Sequence, residues 1–160
     1  MTNFDYLKKD NQFSSFADVA IAAEKVLPID VESSVINCRR AMEFAIKWMY
    51  SVDKSLEMPY QDNLISLMST EDFHDLVDDD LWKRLDLIRK VGNRAAHNGR
   101  KISRDEAVLC LRNLFIFMDY ITYCYSNSYE ERKYDESLLT HLDADYAIFK
   151  SSDDDIKLKE

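Results

Sequence analysis

The stretch RKVGNRAAHNGR, residues 89–100, places Arg89, Asn93 and His97 at four-residue intervals. On a continuous helix each such step turns the side chain by only about 40°, so the three would form one polar stripe. An imidazole titrates near neutrality and exchanges protons, a guanidinium holds a phosphate through paired hydrogen bonds, and a carboxamide orients the imidazole or a ribose hydroxyl. These are the parts of a metal-independent ribonuclease, with Arg94, three residues before His97, as a second candidate cation beside the same turn. The rival reading needs no chemistry: His97 hydrogen-bonded to a neighbouring helix, with Asn93 and Arg89 pinning the turn.

The same stretch holds the only two glycines of the 160-residue chain. Gly92, inside the helix, carries a penalty of roughly 1 kcal/mol relative to alanine, which predicts a close helix approach or a local break in compensation. Gly99, preceded by Asn98, fits a helix C-cap that requires positive φ. Arg94, Arg100, Lys101 and Arg104 make residues 94–104 the one locally basic stretch, so RNA or DNA phosphates are expected there if anywhere, with Arg100, Lys101 and Arg104 as the candidate contacts. A formal charge of −9, from 30 acidic and 21 basic residues, argues against attraction of nucleic acid by the whole surface.

The elements that position these residues read as helices. Two glycines, two prolines and an abundance of Leu, Ala, Glu and Lys favour a single all-α domain over many short strands. Phe16, Val19, Ala20 and Ala23 recur at helical spacing in a first helix from Ser15 to Leu27, which Pro28 ends. A second runs from near Asp30 to about Val52 with Val35, Cys38, Met42, Ala45, Ile46 and Met49 on one stripe. Short pieces are expected at Asn63 to Met68 and Thr70 to Val77. The run Asp78–Asp80 looks like the cap of a helix carrying Leu81, Leu85 and Ile88 on one face and continuing through His97. Ser103 and Glu106 form a capping-box pattern ahead of a long helix that reaches Tyr125. Four principal helices in residues 1–126 result, followed by a short polar extension, residues 127–160, with a short helix or strand near Leu138 to Phe149 and a mobile end.

Several segments together, AAEKVLPID, INCRRAMEFAIKWMY, LIRKVGNRAAHNG and EAVLCLRNLFIFMDY, resemble the uncharacterised helical domain found at the N-terminus of type I restriction-enzyme R subunits and as a separate small protein. The resemblance covers roughly residues 4 to 125. Its motif comprises Glu24, Arg39 and Glu43, and the signature Ile88, Arg89, Gly92, Asn93, Ala95, Ala96 and His97. That domain is regarded as a member of the HEPN superfamily, helical bundles abundant in restriction, CRISPR and toxin–antitoxin systems. The resemblance implies a HEPN-like bundle. Active members carry an arginine, then a polar residue, with four to six residues before the histidine. Asn93 and His97 match that pattern, whereas Gly92 stands where the arginine belongs, and Arg89 and Arg94 fall outside the spacing. Pairing of signature helices in that superfamily implies a homodimer.

The expectation that follows is a non-catalytic interaction or nucleic-acid-associated module of a restriction-modification or related prokaryotic defence system, with protein partners from such a system. That reading leads because loss of the phosphate-holding cation removes several kcal/mol of barrier lowering; the alternative is an endoribonuclease using His97 with Arg89 or Arg94. A weaker alternative is an acidic DNA-mimic inhibitor, suggested by the net charge alone. Arg39 and Glu43 are an exposed ion pair on one reading and a polar cluster positioning Asn93 or His97 on another. No Walker loop, nucleophile elbow, dinucleotide fingerprint or zinc-ligand spacing occurs, so neither cofactor nor metal is expected. Cys38, Cys110 and Cys124 read as buried thiols of a reducing cytoplasm, and His74 and His141 as surface residues. No signal sequence is recognised, and no apolar run approaches the roughly 20 residues of a membrane span.

Overall fold

A computed structural model describes residues 1–97 and 101–159, and for residues 152–159 the backbone alone. Among the described residues the fold is entirely helical. Two short 3-10 turns, Asp5–Lys9 and Asn11–Phe13, lead into α1 (Ser14–Lys25), α2 (Val31–Val52), α3 (Leu64–Met68), α4 (Glu71–Leu76), α5 (Asp79–Ala96), α6 (Arg104–Tyr125) and α7 (Ser137–Lys159).

Local chemistry fixes where these helices start. Asp30, Asn63, Thr70, Asp78 and Ser103 each sit in extended backbone and accept a hydrogen bond from a free N–H of the first turn of α2 to α6. At Ser103 the arrangement is reciprocal: its hydroxyl takes the Glu106 N–H at 3.1 Å, and the Glu106 carboxylate takes the Ser103 N–H at 3.2 Å. The acidic run is therefore a helix start, with Asp78 Oδ1 2.7 Å from Leu81 N.

α2 is the central rod. It runs antiparallel to α1, as the Ser34 hydroxyl bond to the Ala23 carbonyl at 2.7 Å and the edge contact of Phe16 with Trp48 mark its two ends. α5 returns antiparallel to α2, and α6 antiparallel to α5, with Arg84 donating to Asn113 near one end and Arg94 paired with Glu106 at the other. α3 and α4 cap the end of α2, where the Tyr50 hydroxyl donates to the Leu67 carbonyl and the Trp82 indole to the Met68 carbonyl. Val35, Cys38, Met42, Ala45, Ile46 and Met49 are all fully buried, as are Leu85, Ile88, Leu111, Leu114, Met118 and Ile121. Each large apolar side chain so placed contributes about 1.5–3 kcal/mol before chain entropy is subtracted.

Three expectations change. The extension does not hold a short element: α7 is a helix of 23 residues, anchored through buried Leu139 and through Arg104 and Asp143. α6 is, by length and composition, apolar enough to cross a membrane, with a mean hydropathy of 1.3 over 18 residues, contrary to the reading that no such run exists. Its apolarity has another use, because 56% of that window is buried inside the bundle. Finally, Cys38 and Cys110 are buried, but Cys124 is exposed.

The N-terminal residues pack as part of the core. Phe4, Leu7 and Phe13 are buried, and Phe4 meets Phe115 of α6 edge-on at 6.2 Å. What holds them is Glu24, only 1% exposed, whose carboxylate accepts the Asn3 N–H at 2.9 Å and the Asn3 carboxamide at 2.8 Å. Asn3 in turn bonds both backbone groups of Asp135, donating to its carbonyl at 3.1 Å and accepting its N–H at 2.8 Å. Burial raises the Glu24 carboxyl above the ordinary range, partly offset by the two Asn3 bonds.

Candidate functional site at the C-terminal end of the fifth helix

α5 brings Arg89 and Asn93 to one side but ends at Ala96. His97 is the C-cap: its N–H still bonds the Asn93 carbonyl at 3.0 Å, but its backbone is extended at φ −103° and ψ 128°. The expected continuous rod through His97 thus stops one residue short. The imidazole is exposed and, among the described residues, has no hydrogen bond to a neighbouring helix. The cap is not a glycine either, and the expected role of Asn98 and Gly99 lies outside the described residues, as does Arg100.

Arg89 is engaged rather than open. Its Nε and Nη2 both donate to Asp86 Oδ1, at 2.9 and 2.8 Å, with the two side chains only 19% and 15% exposed. Lys90 reaches the other oxygen of Asp86 at 3.1 Å. Burial alone would raise the Asp86 carboxyl, but the bonds from Arg89 and Lys90 bring it below its usual range. Arg94 pairs with Glu106, the residue that also closes the capping box, and so ties the end of α5 to the start of α6. Arg104 grips Asp143 of α7 with both terminal guanidinium nitrogens, at 3.1 and 2.5 Å. Lys101 is exposed and forms no ion pair among the described residues. Of the basic stretch, the two arginines that the structure describes serve as clamps between helices.

Gly92 explains the geometry better than any catalytic reading of its neighbours. A Cβ built there would lie 2.7 Å from Arg39 Cβ and 2.8 Å from Arg39 Cδ, so the missing side chain is what lets α2 and α5 approach. The Arg39 stem fills the space, and its Nη1 lies 3.9 Å from Glu43 Oε2, while Glu43 Oε1 faces Lys47 at 3.6 Å. Arg39 Nε is buried without a hydrogen-bond partner. Arg39 and Glu43 are therefore neighbours in a half-buried cluster, and among the described residues neither bonds Asn93 or His97. Asp86 was missed in the sequence, although its position three residues before Arg89 was a readable signal for an intrahelical pair.

His74 and His141 are exposed, the former stacked on Trp82 at 4.8 Å. Tyr120 and Tyr129 are structural donors, to the Leu76 carbonyl and the Asp119 carboxylate respectively. No group of three His, Cys, Asp or Glu side chains gathers into a metal site among the described residues.

The molecule is a helical domain built on a central α2, whose signature helix ends in a polar tip with its arginines tied to carboxylates. The chain belongs to the family described as a domain of unknown function, DUF4145, whose profile matches residues 21–140, from within α1 to the first turn of α7. No curated protein and no solved structure matches it.

Proposed function

We propose that the chain is a non-catalytic, HEPN-like interaction module of a prokaryotic restriction or related defence system, associating with nucleic acid or with the protein partners of that system. The observation that carries the non-catalytic part is the state of the cations. Arg89, Arg94 and Arg104 each face a carboxylate, and a ribonuclease of this kind needs an available guanidinium where charge develops on the scissile phosphate. The termination of α5 before His97 supports the same reading. The defence context rests on the likeness of the Glu24, Arg39–Glu43 and Ile88–His97 motif, a fold-level and motif-level analogy. Incubating the protein with labelled single-stranded RNA in EDTA tests the proposal: no cleavage at high protein concentration is expected, and cleavage abolished by His97→Ala overturns it.

One observation favours the endoribonuclease as a second reading. The Arg39 stem packs on Gly92, which stands where the superfamily's arginine would, and its Nε is buried without a partner while its Nη1 faces Glu43 at 3.9 Å. A guanidinium delivered from α2 could replace the one missing from α5, and cleavage lost in Arg39→Ala as well as in His97→Ala would identify that arrangement. In either reading a homodimer pairing its α5 helices is measurable by light scattering.

A further inference from the structure

The first 3-10 turn, the middle of α6, the connector ahead of α7 and the first turn of α7 line an open depression of about 510 Å³ on a part of the surface built from residues outside the α5 tip. Its walls include Tyr6, Lys9, Phe115, Arg132, Lys133 and Leu138. A smaller cavity of about 90 Å³ shares Tyr6, Lys9 and Arg132 with it. Three cations converge here on a chain whose formal charge is −9. The two carboxylates at the rim already serve as local caps: Asp5 accepts the Thr2 N–H and hydroxyl at 3.0 and 2.7 Å, and Asp135 accepts those of Ser137 at 2.9 and 2.6 Å. Lys9 and Lys133 form no ion pair among the described residues. Arg132 lies over the Tyr6 ring, 4.2 Å from its centre, donates to the Glu130 carbonyl at 3.2 Å and reaches the exposed Glu130 carboxylate at 3.5 Å. Tyr6 lines both, and its hydroxyl is buried and without a hydrogen-bond partner.

A concave site of this size, part apolar and part cationic, fits a small molecule better than a macromolecule. Separate ammonium and guanidinium groups suit an anion with several oxygens, while Leu138, the exposed Met1 and the small open part of Phe115, otherwise packed by Phe4, Tyr6 and Tyr134, offer an apolar wall to a flat ring. We propose that this cavity binds a small phosphorylated, ring-bearing metabolite of the nucleotide class, with its phosphate among Lys9, Arg132 and Lys133 and its ring against Phe115 and Leu138. Such a ligand bridges the N-terminal turn and the connector, which otherwise meet through the Asn3 bonds to Asp135 and the stacking of Arg132 on Tyr6, and it stabilises the fold increasingly as its concentration rises above its Kd.

Isothermal titration of the full chain with AMP, adenosine and inorganic phosphate tests the assignment. Saturable AMP binding is expected, about tenfold or more tighter than either fragment, and weakening as salt is raised. The double variant Lys9→Glu/Lys133→Glu, both positions being exposed, should reduce AMP affinity by at least about tenfold with an unchanged circular dichroism spectrum, whereas Lys101→Glu should leave it intact. Absence of saturable AMP binding overturns the proposal, as does AMP affinity unaffected by the double variant. Phosphate binding as tight as AMP overturns the ring-bearing class. None of these outcomes depends on His97 or on the reading of α5.

Discussion

Gly92→Ala separates a packing role of this glycine from a merely tolerated one. In an ordinary helix interior the substitution stabilises by about 1 kcal/mol, because alanine is the better helix former. Here the new Cβ meets Arg39 Cβ at 2.7 Å, and that atom is fixed to the α2 backbone, so no rotation of the arginine relieves the contact. Overpacking a close-fitted interior costs about 1–3 kcal/mol, and a clash with a backbone-attached atom belongs in the upper half of that range. The net expectation is a loss of about 1–2 kcal/mol, or about 2–8 °C in Tm for a chain of this size. Urea denaturation followed by circular dichroism measures it, with the slope m unchanged if the native state stays compact. In an Arg39→Gly background the obstructing atoms are gone, so the same Gly92→Ala change should recover its favourable sign. The coupling between the two sites should then be about 2–3 kcal/mol. Stabilisation by Gly92→Ala in the wild-type background, or additive effects of the two changes, would refute the close approach of α2 and α5.

Other perturbations probe the clamps. Glu24→Gln turns an amide N–H₂ toward one of the two Asn3 donors and should cost about 1–3 kcal/mol. Because the folded Glu24 carboxyl is raised above its unfolded value, the native state holds its proton longer. That contribution is complete below the ordinary carboxylate range and is lost as pH rises through the raised value, so the stability gap between wild type and Glu24→Gln should narrow with rising pH in paired denaturation curves. Asp86→Asn frees Arg89 and Lys90; it should cost roughly 0.5–1 kcal/mol and raise salt-sensitive binding of labelled RNA in a filter assay. The lowered Asp86 carboxyl supplies stability that is present above the ordinary aspartate value and is lost as pH falls through the lowered one, a loss that Asp86→Asn should abolish in acid titrations. Leu139→Ala empties a buried site and should cost about 2–4 kcal/mol, with faster amide exchange concentrated in α7.

The starts of the helices were legible because they are decided within four residues. Asp30, Asn63, Thr70, Asp78 and the Ser103–Glu106 pair each satisfy free N–H groups of their own first turn, and no distant partner is needed. Apolar periodicity likewise gave the buried stripe of α2 and the face of α5, since burial on one side leaves a 3.6-residue signature. The glycine penalty at Gly92 left a close approach or a local break open, and the structure holds the former, with Arg39, 53 residues earlier in α2, as a partner that local sequence does not name. What escaped was decided by pairing across long separations. Asn3 finds Glu24 and then Asp135, which lies 132 residues away, and nothing in the polar N-terminal run announces either contact.

The same asymmetry governs the candidate site. Residue type and spacing described what Arg89, Arg94 and Arg104 can do, namely hold a phosphate, and said little about what already holds them. Arg94 and Arg104 lie in one short stretch, yet their carboxylates come from α6 and α7, so their fate depends on how helices pack after the stretch is written. Asp86 is different, being on α5 itself, and there the intrahelical spacing did carry the information. A basic stretch is thus a poor guide to an open phosphate site in a chain with an excess of acid, because the surplus carboxylates compete for every guanidinium before an external anion arrives. Lys9 and Lys133 escape that competition among the described residues, where the Asp5 and Asp135 carboxylates of the same wall are turned to the Thr2 and Ser137 donors; a cap alone does not ensure this, since Glu106 closes a capping box and still pairs with Arg94.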